Sequence, residues 1–153
     1  MEGVSIRPAR PEELPSLDAL VLRSKSHWTG GRAADVPAVT PKLTAADITS
    51  RHATVAEKDG VPVGFYTLNE HADYLGIGLF FVDRPFIGAG VGRLLWDDLV
   101  RRAVTLGARL LGVGAEPRAE GFYQRMGMVT RHDVEHNGER LIWMTGVVAA
   151  VPK

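Results

Sequence analysis

Three observations predict a mixed α/β (α+β) domain, a sheet with helices packed on it. Short apolar segments alternate with stretches of helical period, two tight-turn signals separate pairs of strands, and a glycine-rich turn leads from an apolar strand into a long amphipathic helix. The length of 153 residues fits one domain covering 1–153, long enough to bury a core without staples. Hydrophobic residues at 45% and charged residues at 24% are globular values and argue against extended disorder.

Val4–Arg7 alternates and reads as a strand stopped by Pro8. Leu14, Leu17, Leu20, Val21 and Ser24 recur at helical spacing, so a first helix is expected from Pro11 to about Lys25, broken by His27–Gly31. The stretch 32–41 reads as loop, and a short second helix is expected from Pro41 or Thr44 to Thr49. Ala53–Glu57 and Val61–Leu68 flank Lys58-Asp59-Gly60, a hairpin signal, with the second strand continuing towards Glu70. Tyr74–Val82 is almost wholly apolar, as a strand covered on both faces would be. Val91, Leu94, Leu95, Leu99, Ala103 and Leu106 form a helical stripe, and Gly107 stands where the helix should end. Arg109–Ala115 reads as a strand, Pro117–Arg125 as a short helix. Met128–Glu135 and Arg140–Val147 read as a hairpin about Asn137-Gly138. The resulting order is β-α-α-β-β-β-α-β-α-β-β.

Several function classes are disfavoured by composition. Eighteen basic residues balance eighteen acidic ones, which leaves no electrostatic footprint for nucleic acid or an anionic membrane. The absence of cysteine removes disulfides, a thiol nucleophile and thiolate metal sites. His52, His132 and His136 show no metal-ligand spacing, so no metal is expected. No apolar run reaches the roughly 20 residues of a membrane helix, and the first residues do not resemble a signal peptide. A cytoplasmic protein is expected.

The most informative segment is Ile87-Gly88-Ala89-Gly90-Val91-Gly92-Arg93. Glycines at alternate positions remove side chains where the backbone must approach a ligand. The helix start that follows presents amides without helical partners and the positive end of the macrodipole, an anion site. Arg93 in the first turn opposes that dipole, which makes more sense with an anion bound. A Walker loop would need Gly-Lys-Ser/Thr, which is missing, and a dinucleotide fingerprint counted from Gly88 would need glycine where Arg93 stands.

Val82–Leu95 resembles the acetyl-CoA motif of the GNAT N-acetyltransferases, written Gln/Arg-x-x-Gly-x-Gly/Ala. Its two glycines fall on Gly90 and Gly92, with Ile87 in its first position. Glu116–Met128 is similar to the later family motif Asn-x-x-Ala…Phe-Tyr-x-x-x-Gly-Phe, through Ala119, Phe122, Tyr123 and Gly127. Glu116 or Arg118 replaces the Asn, and Met128 the final aromatic. The resemblance covers nearly the whole chain and implies a mixed, mostly antiparallel central sheet flanked by helices. It also implies acetyl-CoA as cosubstrate, a small-molecule or peptide amine as acceptor, and a possible homodimer.

The resemblance implies residue roles as well. Ile87, Gly88, Ala89, Gly90, Val91, Gly92 and Arg93 would hold the pyrophosphate. Backbone at Phe81 or Val82 would donate to the oxyanion and pair with the pantetheine arm, and Phe122 would also line the cofactor. An ammonium acceptor must lose a proton before it attacks, and the departing thiolate must gain one. Tyr123 corresponds to the family's general acid, and its plain alternative is a core aromatic. Glu70, His71, Asp73 and Glu116 are candidate bases that read equally as solvated groups, and many relatives use a water chain. Ser24–Trp28 looks like a stretch on the acceptor-side helices of one branch of the family, so His27 and Trp28 are candidate acceptor contacts. Asp83 reads as a turn residue before Pro85, and Trp96 and Trp143 as packing residues. The alternative from another class is a module of the same fold that senses acyl-CoA without turnover.

Overall fold

The computed structural model describes residues 3–28, 43–136 and 138–148. Among them run β1 (Val4–Pro8), α1 (Leu14–Trp28), α2 (Ala45–Ser50), β2 (Thr54–Lys58), β3 (Val61–Glu70) and β4 (Leu75–Val82). There follow α3 (Val91–Thr105), β5 (Leu110–Ala115), α4 (Glu120–Arg125), β6 (Val129–His136) and β7 (Glu139–Val147). Single 3₁₀ turns at Pro11–Glu13, Arg84–Phe86 and Pro117–Ala119 lead towards the three helices or loops that each precedes. The strands form one seven-stranded sheet in the order β1-β2-β3-β4-β5-β7-β6. β1–β2, β2–β3, β5–β7 and β6–β7 pair antiparallel, and β4–β5 pairs parallel. The expected element order is therefore present, as is the mixed, mostly antiparallel sheet.

Contacts cluster into two compact units, Met1–Leu68 with Leu79–Asp98, and Asn69–Gly78 with Leu99–Lys153. In the first, Leu17, Leu20 and Val21 of α1 bury against Leu43, Ile48, Ala53, Val55, Phe65 and Leu79, with Phe81 packed at the margin. On the other face of β4, Phe80 stacks on Tyr66 and tilts against Trp96 of α3. This segment of β4 is thus covered on both faces, as its unbroken apolar run requires. The first helix differs from expectation at both ends. Pro11 opens a 3₁₀ turn, and α1 continues through Trp28, since Ser26-His27-Trp28 contains no residue that stops a helix. α2 starts at a capping box, in which Thr44 accepts from the Asp47 amide and Asp47 reaches back to the Thr44 amide.

In the second unit, Leu75–Ile77 pairs with Leu111–Val113. A side chain at Gly112 would meet Trp143 at 2.6 Å and Tyr74 at 2.9 Å, so two aromatic rings close over bare backbone there. Gly107 has φ +76 and ends α3. Its amide donates to Val104 and that of Ala108 to Ala103, the paired bonds of a Schellman cap. β6 and β7 meet at His136 and Glu139, as a two-residue loop demands. Gly138 has φ +79 there, and Asn137 lies outside the described residues.

Candidate functional site

The glycine turn is built outward from the end of β4. Asp83 follows the strand and caps the 3₁₀ turn Arg84–Phe86 by accepting from the Arg84 amide at 2.8 Å. Its own amide donates to the Val63 carbonyl at 2.8 Å, which fixes the strand end to β3. Its carboxylate takes a forked pair from Arg23 of α1, Nε at 2.8 Å and Nη2 at 2.9 Å. That ion pair raises the pKa of the Arg23 guanidinium through the charge-assisted bond to Asp83. Asp83 is therefore more than a turn residue, since it moors both α1 and β3 at the root of the loop.

Beyond that root the amides divide into two sets. Ile87 donates to Arg84 at 3.3 Å and Ala89 to Phe86 at 3.1 Å, so these two tighten the turn itself. Gly90 caps α3, its carbonyl accepting from Leu94 at 3.2 Å. Helix geometry leaves the amides of Val91, Gly92 and Arg93 with no acceptor inside α3. Gly88 and Gly90 have φ +85 and +92, and a side chain built at either would have nothing within 4 Å. The turn thus demands glycine for its backbone angles, and open space adjoins it.

Arg93 is two-thirds exposed, and its Nε lies 3.2 Å from Asp97 one turn on. This pair runs against the macrodipole, with the cation nearer the N-terminus, so it stabilises the helix little. Val91 and Leu95 are buried, and they pack where β3 has no side chain. A Cβ at Gly64 would meet Leu95 Cδ1 at 2.9 Å, Val91 Cγ1 at 3.1 Å and the Phe81 carbonyl at 3.1 Å. Gly64 therefore sets how closely the start of α3 lies on the strands that present Phe81 and Val82. A glycine inside an otherwise apolar strand was the sequence signal for it.

Phe81 and Val82 are half-buried at the end of β4. The β4–β5 ladder covers Leu75–Ile77 against Leu111–Val113, while β4 runs on to Val82 and β5 to Ala115. Phe81 tilts against Phe65 at 6.3 Å, and the Lys25 ammonium lies 6.0 Å from the centre of its ring. His27 and Trp28 close α1, but their side chains lie outside the described residues.

Tyr123 belongs to the second unit. It is buried on α4, edge-on to Phe122 at 5.4 Å. Gly127, at φ +102, ends α4 in a second Schellman cap. Its amide donates to Gln124 and that of Met128 to the Tyr123 carbonyl at 2.9 Å. Met128 then covers Gly146 of β7, where any side chain would collide with its sulfur. The Phe-Tyr-x-x-x-Gly spacing is thus a helix ending whose hydrogen bonds fix the Tyr123 backbone. Burial pushes the Tyr123 phenol pKa above its ordinary value, and the negative charge of Glu116 adds to the effect. Of the candidate bases, Glu70, His71 and Asp73 line a cavity of about 250 Å³ with Tyr74 and Leu106–Arg109, and His71 stacks on Tyr74 at 4.4 Å. They precede β4 in the chain, whereas the glycine turn follows it. Glu116 caps the 3₁₀ turn Pro117–Ala119. Among the described residues, no group of His, Asp and Glu could hold a metal ion, and no helix is long and apolar enough to cross a membrane.

No curated protein sequence matches the chain. Solved structures do. A GCN5-related N-acetyltransferase from Rhodopseudomonas palustris is 25% identical with a TM-score of 0.73, over 96% of this chain and 97% of that one. The PaiA N-acetyltransferase of Thermoplasma acidophilum, solved with coenzyme A, has a TM-score of 0.76 at 14% identity, over 94% and 98%. The ribosomal-protein-S18-alanine N-acetyltransferase of Escherichia coli has a TM-score of 0.71 at 15% identity, over 98% and 97%. At such low identity the last two speak for the fold alone. The family model of the acetyltransferase (GNAT) domain matches residues 29–147, a span that holds both the glycine turn and the capped helix of Tyr123. The chain belongs to the GNAT acetyltransferase family.

Proposed function

We propose that the chain is an acetyl-CoA-dependent N-acetyltransferase, one domain over 1–153, that passes acetyl directly from the thioester to an amine of a small molecule or peptide. The observation that carries this reading is the glycine turn. Gly88 and Gly90 take backbone angles that favour glycine, open space adjoins both, and the first amides of α3 follow directly. That arrangement suits a diphosphate, with Gly88, Gly90, Val91, Gly92 and Arg93 donating. Ile87 and Ala89 contribute by shaping the turn, because their amides are engaged within it.

When bound, acetyl-CoA supplies an activated acyl group and a thiol leaving group. The chain's own residues supply position and protons. The β4 backbone at Phe81 and Val82 lies beyond the β4–β5 ladder, which supports a role in pairing with an extended ligand and donating to a developing oxyanion. Phe122 adds apolar cover. Tyr123 is our candidate general acid. A phenol is protonated at neutral pH, the state in which it can give a proton to the departing sulfur. Burial raises its pKa further, so the donation depends on the thiolate being held against it. We assign no base: water would carry the ammonium proton to solvent before attack, and the proton that the nitrogen loses on acylation would replace the one Tyr123 gives to the sulfur.

The test combines protein, acetyl-CoA and a panel of amines and follows thiol release. We expect acetylated product, and a drop of about 10²-fold or more in turnover for Tyr123→Phe at unchanged CoA affinity. A protein that binds CoA but releases no thiol across the panel would be a sensor of acyl-CoA. One that does not bind CoA would end the proposal.

A further inference from the structure

The hydrogen bonds at the two ends of the β3–β4 pair differ in register. At the turn between these neighbouring strands the His71 amide donates to the Tyr74 carbonyl, and at the far end the Asp83 amide donates to the Val63 carbonyl. Val63 to His71 is eight steps along the chain, whereas Tyr74 to Asp83 is nine. β4 therefore carries one residue that β3 does not match, a β-bulge. The ring pairs Phe65–Phe81 and Tyr66–Phe80 keep the register of Asp83, so the extra residue lies on the turn side of Phe80. In the register of the turn Gly78 stands opposite Thr67, and in that of Asp83 Leu79 stands there. A side-chain bond marks the place: Thr67 is fully buried, and its Oγ1 accepts from the Leu79 amide at 2.9 Å. A buried amide turned out of the ladder needs an acceptor, and the hydroxyl supplies it. Packing alone in a covered strand is served as well by valine, so the hydroxyl is the informative part of the residue.

Side chains alternate along a strand, so one extra residue exchanges the faces of all that follow it. The bulge thus decides that Phe80 meets Tyr66 and Trp96 while Phe81 meets Phe65, and it sets the direction of the Phe81 and Val82 amides. We infer that Thr67 is a positioning residue, whose hydroxyl pins the bulge and so fixes the phase of the strand end assigned above to the thioester. The inference rests on the functional reading above for its chemistry, though not for the bulge. Being fully buried, Thr67 acts through the β4 backbone rather than by contact with a ligand.

The test compares the full chain with Thr67→Val, which keeps the branched shape, and Thr67→Ser, which keeps the hydroxyl. Amide hydrogen exchange is followed in the free protein, then CoA affinity by calorimetry and thiol release from acetyl-CoA with the amine panel. In Thr67→Val the Leu79 amide should exchange about tenfold or more faster, measured against the Phe65 amide of the neighbouring strand. Its kcat should fall about tenfold or more with CoA affinity within about twofold of wild type, since a displaced oxyanion donor harms the reaction and the glycine turn lies beyond Asp83. Thr67→Ser should hold exchange and kcat near wild type. Loss of packing alone would neither separate kcat from CoA affinity nor be rescued by serine. Should Thr67→Val fail to fold, Thr67→Ala takes its place in each measurement. Unchanged Leu79 exchange, unchanged turnover, a parallel loss of kcat and CoA affinity, or no rescue by serine would each overturn the inference. A wild type without CoA binding or thiol release would instead count against the enzymatic reading, and the exchange comparison, made without ligand, then decides whether Thr67 holds the strand end.

Discussion

Asp83 shows how much one side chain can organise when its partners come from distant parts of the chain. Its carboxylate is 11% exposed and joins a guanidinium 60 residues earlier, while its backbone ties β4 to β3. The pair lies between the two usual extremes. Arg23 is 48% exposed, so solvent screens part of the attraction, yet the forked geometry and the bond from the Arg84 amide make the acceptor side specific. Asp83→Asn keeps the shape but turns an NH₂ group towards one nitrogen of Arg23. The expected loss is about 1–2 kcal/mol of stability, between an exposed ion pair and a buried hydrogen bond to a charged group. CoA affinity should fall as well, because the turn from Arg84 to Ala89 grows from this root. Urea denaturation and CoA titration of the variant measure both effects. Unchanged values for each would reduce the pair to an incidental contact.

Among the elements, α3 fits β3 with little slack at Gly64. At Gly64 a new methyl group would press on the Phe81 carbonyl, which belongs to a strand and cannot turn away as a side chain can. Gly64→Val should therefore cost about 1–3 kcal/mol by overpacking. It should also weaken CoA binding by tilting the start of α3, and thermal denaturation with CoA titration would show both. Stability equal to wild type would mean that α3 has room to move. This contact also marks where the sequence stops being readable. The hairpin at Asp59-Gly60, the cap at Gly107 and the glycine turn were legible because each depends on backbone angles within a few residues, whereas Gly127 was read only as a motif match and not as a cap. Gly64 stood visible in its strand, but the helix above it did not, because the approach of α3 is a tertiary fact. The Arg23–Asp83 pair had no local signal. The length of α1 was misjudged because Ser26-His27-Trp28 contains no residue that stops a helix, only residues of weak propensity.

Across the whole molecule, two groups should set opposite limits to stability on the pH scale, one in each compact unit. In the first unit Glu13 is held below the usual carboxylate range, chiefly by its paired bonds to Arg7 at 2.8 and 2.6 Å. A carboxyl whose folded pKa is depressed stabilises the native state above its unfolded pKa of about 4.3, and that contribution disappears as pH falls through the folded value. In the second unit Tyr123 has the opposite sign. Its pKa is raised, chiefly by burial, so the native state holds the phenolic proton after the unfolded chain has released it. Its contribution is complete below the unfolded pKa of about 10 and is lost as pH rises towards the folded value. Within that alkaline window one retained proton corresponds to about 1.4 kcal/mol of stability per pH unit. Denaturant unfolding from pH 3 to 11 should thus give a plateau with two falling limbs. Tyr123→Phe should flatten the alkaline limb by that slope and leave the acid limb in place, whereas Glu13→Gln should lower the plateau and soften only the acid limb. The wild type and Tyr123→Phe share every other ionisable group, so their difference isolates the Tyr123 phenol. An alkaline limb unchanged by Tyr123→Phe would mean that water reaches the ring in solution and that burial does not raise its pKa.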